Sequence, residues 1–285
     1  MKTILVPTDF SDNADNALYY AIDLAKKENA KIILLHAFLI NYSNPVIPMD
    51  FILEENRRAL DESNNKLKEQ ALKISYAGKM EYEYISIEDT PIDAILNSII
   101  EYKVDIVIMG TKGESDFISS IFGSVAAKII EKATCPVLAI PAEASFKEIK
   151  KITFATAYNH SDIYAIKKVV EIARLFNAQV DILHFSIKSH SQTEEKELMK
   201  TFMDDVNRKI QYSNLSFQLL EGENIEEALE EYIDNDSTNI LVMSTHQRGF
   251  FDKLFGNSIT KHMAYHTSVP LMAFHHTIKS AVKVY

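Results

Sequence analysis

Gly110, Gly113 and Gly123 lie within 14 residues of one another, and they are three of only seven glycines in a chain of 285. Average usage is roughly 7 per cent glycine, so the chain avoids this residue and then concentrates it. Glycine permits close backbone approach and positive φ. The full pattern is Gly110-Thr111-Lys112-Gly113, nine further residues, then Gly123-Ser124. Amides near the first two glycines can curl around an anion. Gly123 and Ser124 stand just before a helix-like segment, where free N–H groups and the helix dipole favour a phosphate. The Ser124 hydroxyl and the Lys112 ammonium add two further contacts. The alternative chemistry is none at all: a loop and an ordinary helix cap.

These residues need strands and helices to hold them, and the sequence supplies both. Thr3–Pro7, Ile32–Ile40, Tyr82–Ile87, Val104–Met109 and Pro136–Ile140 read as strands. Between them, Ser11 caps a first helix with Asp12 and Asp15 in its first turn and Lys26 and Lys27 in its last, as the macrodipole favours. Leu53, Leu60, Leu67 and Ile74 recur every seven residues and predict a long helix over 51–76. Pro91 opens a third helix. Val125, Ile129 and Ala133 mark the expected inner face of a fourth.

The second half repeats this plan. Ile152–Thr156 matches Ile4–Thr8 at an offset of 148, which also carries His36 to His184. Asn239–Met243 matches Asp105–Met109 at an offset of 134, which carries Ser124 to Ser258 and Pro136 to Pro270. The difference in offset places a deletion near residues 186–212. The expected organisation is therefore two domains, 1–142 and 148–285, joined by a short linker. Each should be a Rossmann-like, doubly wound α/β domain with a five-stranded parallel sheet and helices on both faces. Ligands of such sheets bind at the carboxyl ends of the strands.

Composition narrows the function. The net charge of −10 disfavours nucleic acid and anionic membranes as partners. No apolar run approaches the ~18 residues of a membrane span, and the N-terminus does not read as a signal peptide. One cysteine, Cys135, precludes an intramolecular disulfide and fits a cytoplasmic protein. G-x4-G-K-S/T and G-x-G-x-x-G are both absent, which disfavours P-loop hydrolysis and dinucleotide binding. A receiver domain would need an acidic pair after the first strand and a phosphoacceptor aspartate after the third, and neither is in place. His262 and His266 share a helix face near His246, but a solvated face explains them better than zinc because nothing completes a ligand set. His36 and His184 read as structural residues, and Cys135 as a small buried hydrophobe.

The glycine pattern, Val6-Pro7-Thr8-Asp9-Phe10-Ser11 and Cys135-Pro136-Val137 together resemble the universal stress protein family, as two fused copies spanning the chain. The resemblance implies an adenine-nucleotide site, ATP foremost, in the first copy. It would be formed by Pro7, Thr8, Asp9, Ala37, Met109, Gly110, Lys112, Gly113, Gly123, Ser124 and Val125. Asp9 would meet the ribose or a magnesium-linked oxygen, and Ala37, just after the second strand, would line the adenine pocket. The implied role is regulatory. A nucleotide-free interaction module and a slow ATPase are the alternatives. The family commonly dimerises through its last strand. Val137–Ile140 and Leu271–Phe274 could meet that way within one chain as a pseudo-dimer, with a homodimer left open.

Two departures stand out. Asp89 replaces a glycine usual before the proline of the third helix, a change expected to disfavour triphosphate or to help hold a metal. In the second half Ser244, Gln247, Asn257 and Ala157 stand where Gly110, Gly113, Gly123 and Asp9 stand in the first, and only Ser258 persists. Gly249 and Gly256 lie out of register. The second half is therefore not expected to bind nucleotide in the same way.

Overall fold

The structure is a computed structural model that describes residues 1–40, 48–112, 123–144, 146–187, 192–235, 237–245 and 269–275. Gly113, His246, Gln247, Gly249, Gly256, Asn257, Ser258, His262 and His266 lie outside the described residues. The chain divides into two compact units, Met1–Ala142 and Glu143–Tyr285.

Unit 1 runs β1 (Thr3–Pro7), α1 (Asp12–Glu28), β2 (Lys31–Phe38), α2 (Met49–Ala77), β3 (Tyr82–Glu88), α3 (Pro91–Glu101), β4 (Ile106–Gly110), α4 (Ser124–Lys132) and β5 (Val137–Ile140). Its strands are all parallel, in the order β3-β2-β1-β4-β5. The chain first builds outward from β1 to β3 and then returns beside β1 with β4. The switch point therefore falls between β1 and β4, where a crevice opens at the carboxyl ends. Near-continuous apolar strands bury both faces: Ile4, Leu5, Val6, Ile32 to Leu35 and Ile106 to Ile108 are at most 1% exposed.

Unit 2 runs β6 (Lys151–Ala155), α5 (Asp162–Phe176), β7 (Gln179–Ile187), α6 (Gln192–Lys209), β8 (Leu215–Gly222), α7 (Ile225–Asn235), β9 (Ile240–Thr245) and β10 (Leu271–His275). Its parallel order, β10-β9-β6-β7-β8, repeats that of unit 1. α6 has 18 residues against 29 in α2, which accounts for most of the change in offset.

The duplication reaches the backbone. Six described non-glycine residues have positive φ, and they pair off at the two offsets: Phe10 with Tyr158, Asn29 with Asn177, Lys103 with Ser237. Asn29 and Asn177 each close a helix in the left-handed conformation that asparagine tolerates. Asp105 and Asn239 each accept from two successive amides at the start of the unit's first strand.

Three readings need adjustment. β2 ends at Phe38, two residues short of the expected Ile40, where its pairing with β3 stops at Glu88, and Ala37 lies inside the strand rather than after it. β4 starts at Ile106, since Asp105 is occupied in capping β1. In α4 Ile129 and the C-cap Ala133 are fully buried as expected, and Ala126 and Ile130 join them, whereas Val125 is only half-buried.

Candidate nucleotide cleft in unit 1

The crevice at the switch point is a cleft of about 190 Å³. Pro7, Thr8 and Asp9 line it from the end of β1, Leu35 and Ala37 from β2, and Met109 to Lys112 from β4. Gly123 to Ala126 close it from the start of α4, and Pro91 and Ile95 from α3. Every sequence-expected residue among those described is therefore on one wall or another. Ala14, Leu35, Pro91, Ile95, Thr111 and Ala126 are additions.

Strand alternation sorts the two faces of the sheet. Leu35 and Ala37 turn to the cleft with Ile95 and Ala126, while His36 between them turns to α2. The His36 Nδ1 and the buried Ser63 hydroxyl lie 2.7 Å apart, and the chain continues to Ser86. Burial, and next the nearby Lys66 ammonium, lower the His36 pKa, against a smaller upward pull from Asp9. The ring packs on Phe10 with centroids 4.4 Å apart. His36 is thus a structural residue behind the cleft.

The β1–α1 turn is fixed by its own side chains. Phe10 N–H donates to Thr8 Oγ1 at 3.0 Å, with Phe10 at φ 68°. Ser11 donates to Asp9 Oδ1 through its amide at 3.1 Å and its hydroxyl at 2.6 Å, and then caps α1 by accepting from Ala14 N–H. These bonds aim Asp9 at the cleft.

The β4–α4 side is held as firmly. Thr111 N–H donates to Ile140 C=O, and Gly123 N–H donates to Thr111 C=O at 2.6 Å, so the start of α4 is tied to the end of β4. The Asn13 side-chain amide donates to Lys112 C=O at 3.1 Å. Gly110 is required for that bond: a Cβ there would lie 2.7 Å from Asn13 Nδ2. The glycine thus makes room for Asn13 of α1, a partner that no sequence pattern singled out. Thr111 is 1% exposed, and its buried hydroxyl has no hydrogen-bond partner among the described residues.

Electrostatically, the α4 terminus differs from its neighbours. α1 and α3 are capped by the side chains of Ser11 and Thr90, and both carry aspartates in their first turn. α4 begins at Gly123, which offers no side-chain acceptor, and its first turn has no acidic residue. Its first-turn dipole is left for something else to neutralise. Asp89 is not among the residues lining the cleft, and its Oδ1 accepts from Thr90 N–H at 2.7 Å.

In unit 2 the described part of the corresponding region, around the β6–α5 turn, is built differently. Asp162, 1% exposed, occupies the place of Ala14 and accepts from the Thr156 hydroxyl at 2.7 Å. Tyr158 stacks on His184 at 3.9 Å. The His184 Nδ1 is 2.8 Å from Thr156 C=O, and its Nε2 is 3.2 Å from Glu195. Cys135, back in unit 1, is buried, and burial pushes its thiol up to about 12.

Comparison with known proteins agrees with this architecture. The sequence model of the universal stress protein family matches residues 1–141 and again 148–275. A universal stress protein of Thermus aquaticus is 30% identical over 142 residues, covering 49% of this chain and 98% of that protein. One from Synechocystis is 24% identical over 293 residues, covering 96% of this chain and 100% of its own length. The crystal structure of a universal stress protein from Archaeoglobus fulgidus superposes with a TM-score of 0.72 at 17% identity, over 96% of this chain and 98% of that one. The chain belongs to the universal stress protein family and carries two copies of its domain in tandem.

Proposed function

We propose that unit 1 binds an adenine nucleotide, ATP foremost, and that occupancy of this cleft is the regulatory signal the protein carries. The observation that carries the reading is the start of α4: a helix N-terminus with no side-chain cap and no first-turn acid, opening into a cleft at the sheet's switch point. Such a terminus is suited to phosphate. The opposite wall, with Leu35, Ala37, Pro91, Ile95 and Met109, is apolar and suits a planar base. One anionic end and one apolar end together describe a nucleotide. Adenine in particular rests on the family resemblance.

The phosphates would lie on the amides of Ser124 and Val125, with the hydroxyls of Ser124 and Thr111 and the Lys112 ammonium beside them. Each hydrogen bond to a charged group contributes about 1.5–3 kcal/mol, so a few of them offset the unfavourable net charge of the chain. Asp9 is the carboxylate placed to meet the ribose or to share a magnesium ion with the phosphates. Unit 2 differs where it is described and in its sequence: Asp162 puts a buried carboxylate where Ala14 leaves room, and Ala157 stands for Asp9. The test is the number of ATP molecules bound per chain, for which this reading requires one.

A further inference from the structure

Consecutive hydrogen bonds fix the chain as it leaves β4, each to a different element. Thr111 N–H donates to Ile140 C=O at the end of β5, and Thr111 C=O accepts from Gly123, the N-cap of α4. Lys112 C=O, the next along, accepts from Asn13 Nδ2 on the first turn of α1. That turn is capped by Ser11, which also bonds the Asp9 carboxylate through its amide and its hydroxyl. Asn13 therefore ties the wall of the cleft that carries Asp9 to the wall that ends at α4.

For packing alone, asparagine is a poor choice here. Asn13 is 9% exposed, and its Oδ1 is buried without a hydrogen-bond partner among the described residues. Such an atom carries the cost of its lost hydration, which an apolar side chain of the same shape would not. Unit 2 assembles the same strand order with Ser161 in this place. The fold does not call for the asparagine, and the bond to Lys112 is what it supplies.

We propose that Asn13 is a positioning residue for phosphate binding: by holding the Lys112 carbonyl it sets the span between Asp9 and the start of α4. The proposal rests on the nucleotide reading of the cleft and narrows it. Asn13 itself is not among the residues lining the cleft, so it acts through its neighbours. The carbonyl it holds is one residue beyond the carbonyl that anchors Gly123, so a shift at Lys112 passes through Thr111 to the α4 cap. Asp9 and the α4 amides would face the charged part of the ligand from opposite sides, and a change of span weakens those contacts. The apolar wall stays where it is, because Leu35 and Ala37 belong to β2 and Pro91 and Ile95 to α3. ATP thus depends on Asn13 and adenosine does not.

The test compares the native full chain with Asn13→Leu, which keeps the branched shape, and Asn13→Ala, which suits the helix. ATP affinity is read by isothermal titration, and adenosine binding by saturation-transfer NMR, which detects weak ligands. Both variants should lose about fivefold or more in ATP affinity, the effect of one hydrogen bond, while adenosine binds as it does to the native chain. Unchanged ATP affinity in both variants overturns the proposal. So does a loss for adenosine as large as that for ATP, which marks Asn13 as a residue of the fold alone. A native chain that binds neither ligand overturns the nucleotide reading itself, and this proposal with it.

Discussion

The Asn13 side-chain amide reaches the carbonyl of Lys112, 99 residues away, through the space that Gly110 leaves by having no Cβ. This pairing joins the first helix to the loop that follows β4. The two halves of the chain solve the contact differently: the matching positions in unit 2 are Ser161 and Ser244, two small polar residues in place of an asparagine and a glycine.

That difference predicts a coupled pair. Gly110→Ser alone should destabilise unit 1 by about 1–3 kcal/mol, because its Cβ overpacks against Asn13. Adding Asn13→Ser, which recreates the unit 2 pair, should recover most of the loss. Urea unfolding of the two single variants and the double variant measures the coupling directly. Additive losses would show that the residues do not share this space.

Unit 2 makes a second internal contrast. Asp181 is 1% exposed and pairs with Lys151 at 2.9 Å, with Gln179, Ser216 and Tyr232 also donating to it. Burial raises its pKa, but these hydrogen bonds outweigh burial and the net shift is downward. The matching residues in unit 1 are Ile33 and Thr3, so the same place is filled there without charge. Asp181→Ala should cost about 3–5 kcal/mol by removing the buried carboxylate that Lys151, Gln179, Ser216 and Tyr232 share. Lys151→Thr with Asp181→Ile should lie much closer to the native protein. Equal losses in the single and double variants, by chemical denaturation, would contradict this.

His36 gives a pH dependence. Its folded pKa lies below the usual imidazole value of 6.5, through burial and then Lys66. The unfolded chain therefore takes up a proton before the folded one does. Stability should fall as pH drops through 6.5 toward the folded pKa, and should level off below it. Unfolding free energies at successive pH values, native against His36→Asn, should show a shallower slope in the variant across that window. Equal slopes would remove His36 as the cause.

The repeat and the strand plan were legible because buried parallel strands write themselves as apolar runs, and two copies check each other. β1 spans Thr3–Pro7 in both sequence and structure. Site residues at strand ends followed from that plan and from the glycine spacing. The face of α4 was only partly legible: Ile129 and Ala133 are buried as expected, but in nine residues helical period alone cannot tell Val125 from Ala126, and it is Ala126 that is buried. Nor was Asn13, whose role depends on a neighbour 99 residues distant. Asp89 shows the opposite limit. Its position near the strand ends suggested a part in the site, but nothing in the sequence signalled its local bond to Thr90 N–H.

Val125→Asp probes the anion site at the start of α4. An acid in the first turn favours the helix dipole, so folding should be unharmed, while the carboxylate would confront the phosphates. Isothermal titration with ATP and magnesium should give one site per chain in the native protein. In the variant, affinity should drop by roughly tenfold or more, the equivalent of losing at least one charge-assisted hydrogen bond. Two equivalent sites per chain, no binding by the native protein, or unchanged affinity in Val125→Asp would rule out a single phosphate site at the start of α4.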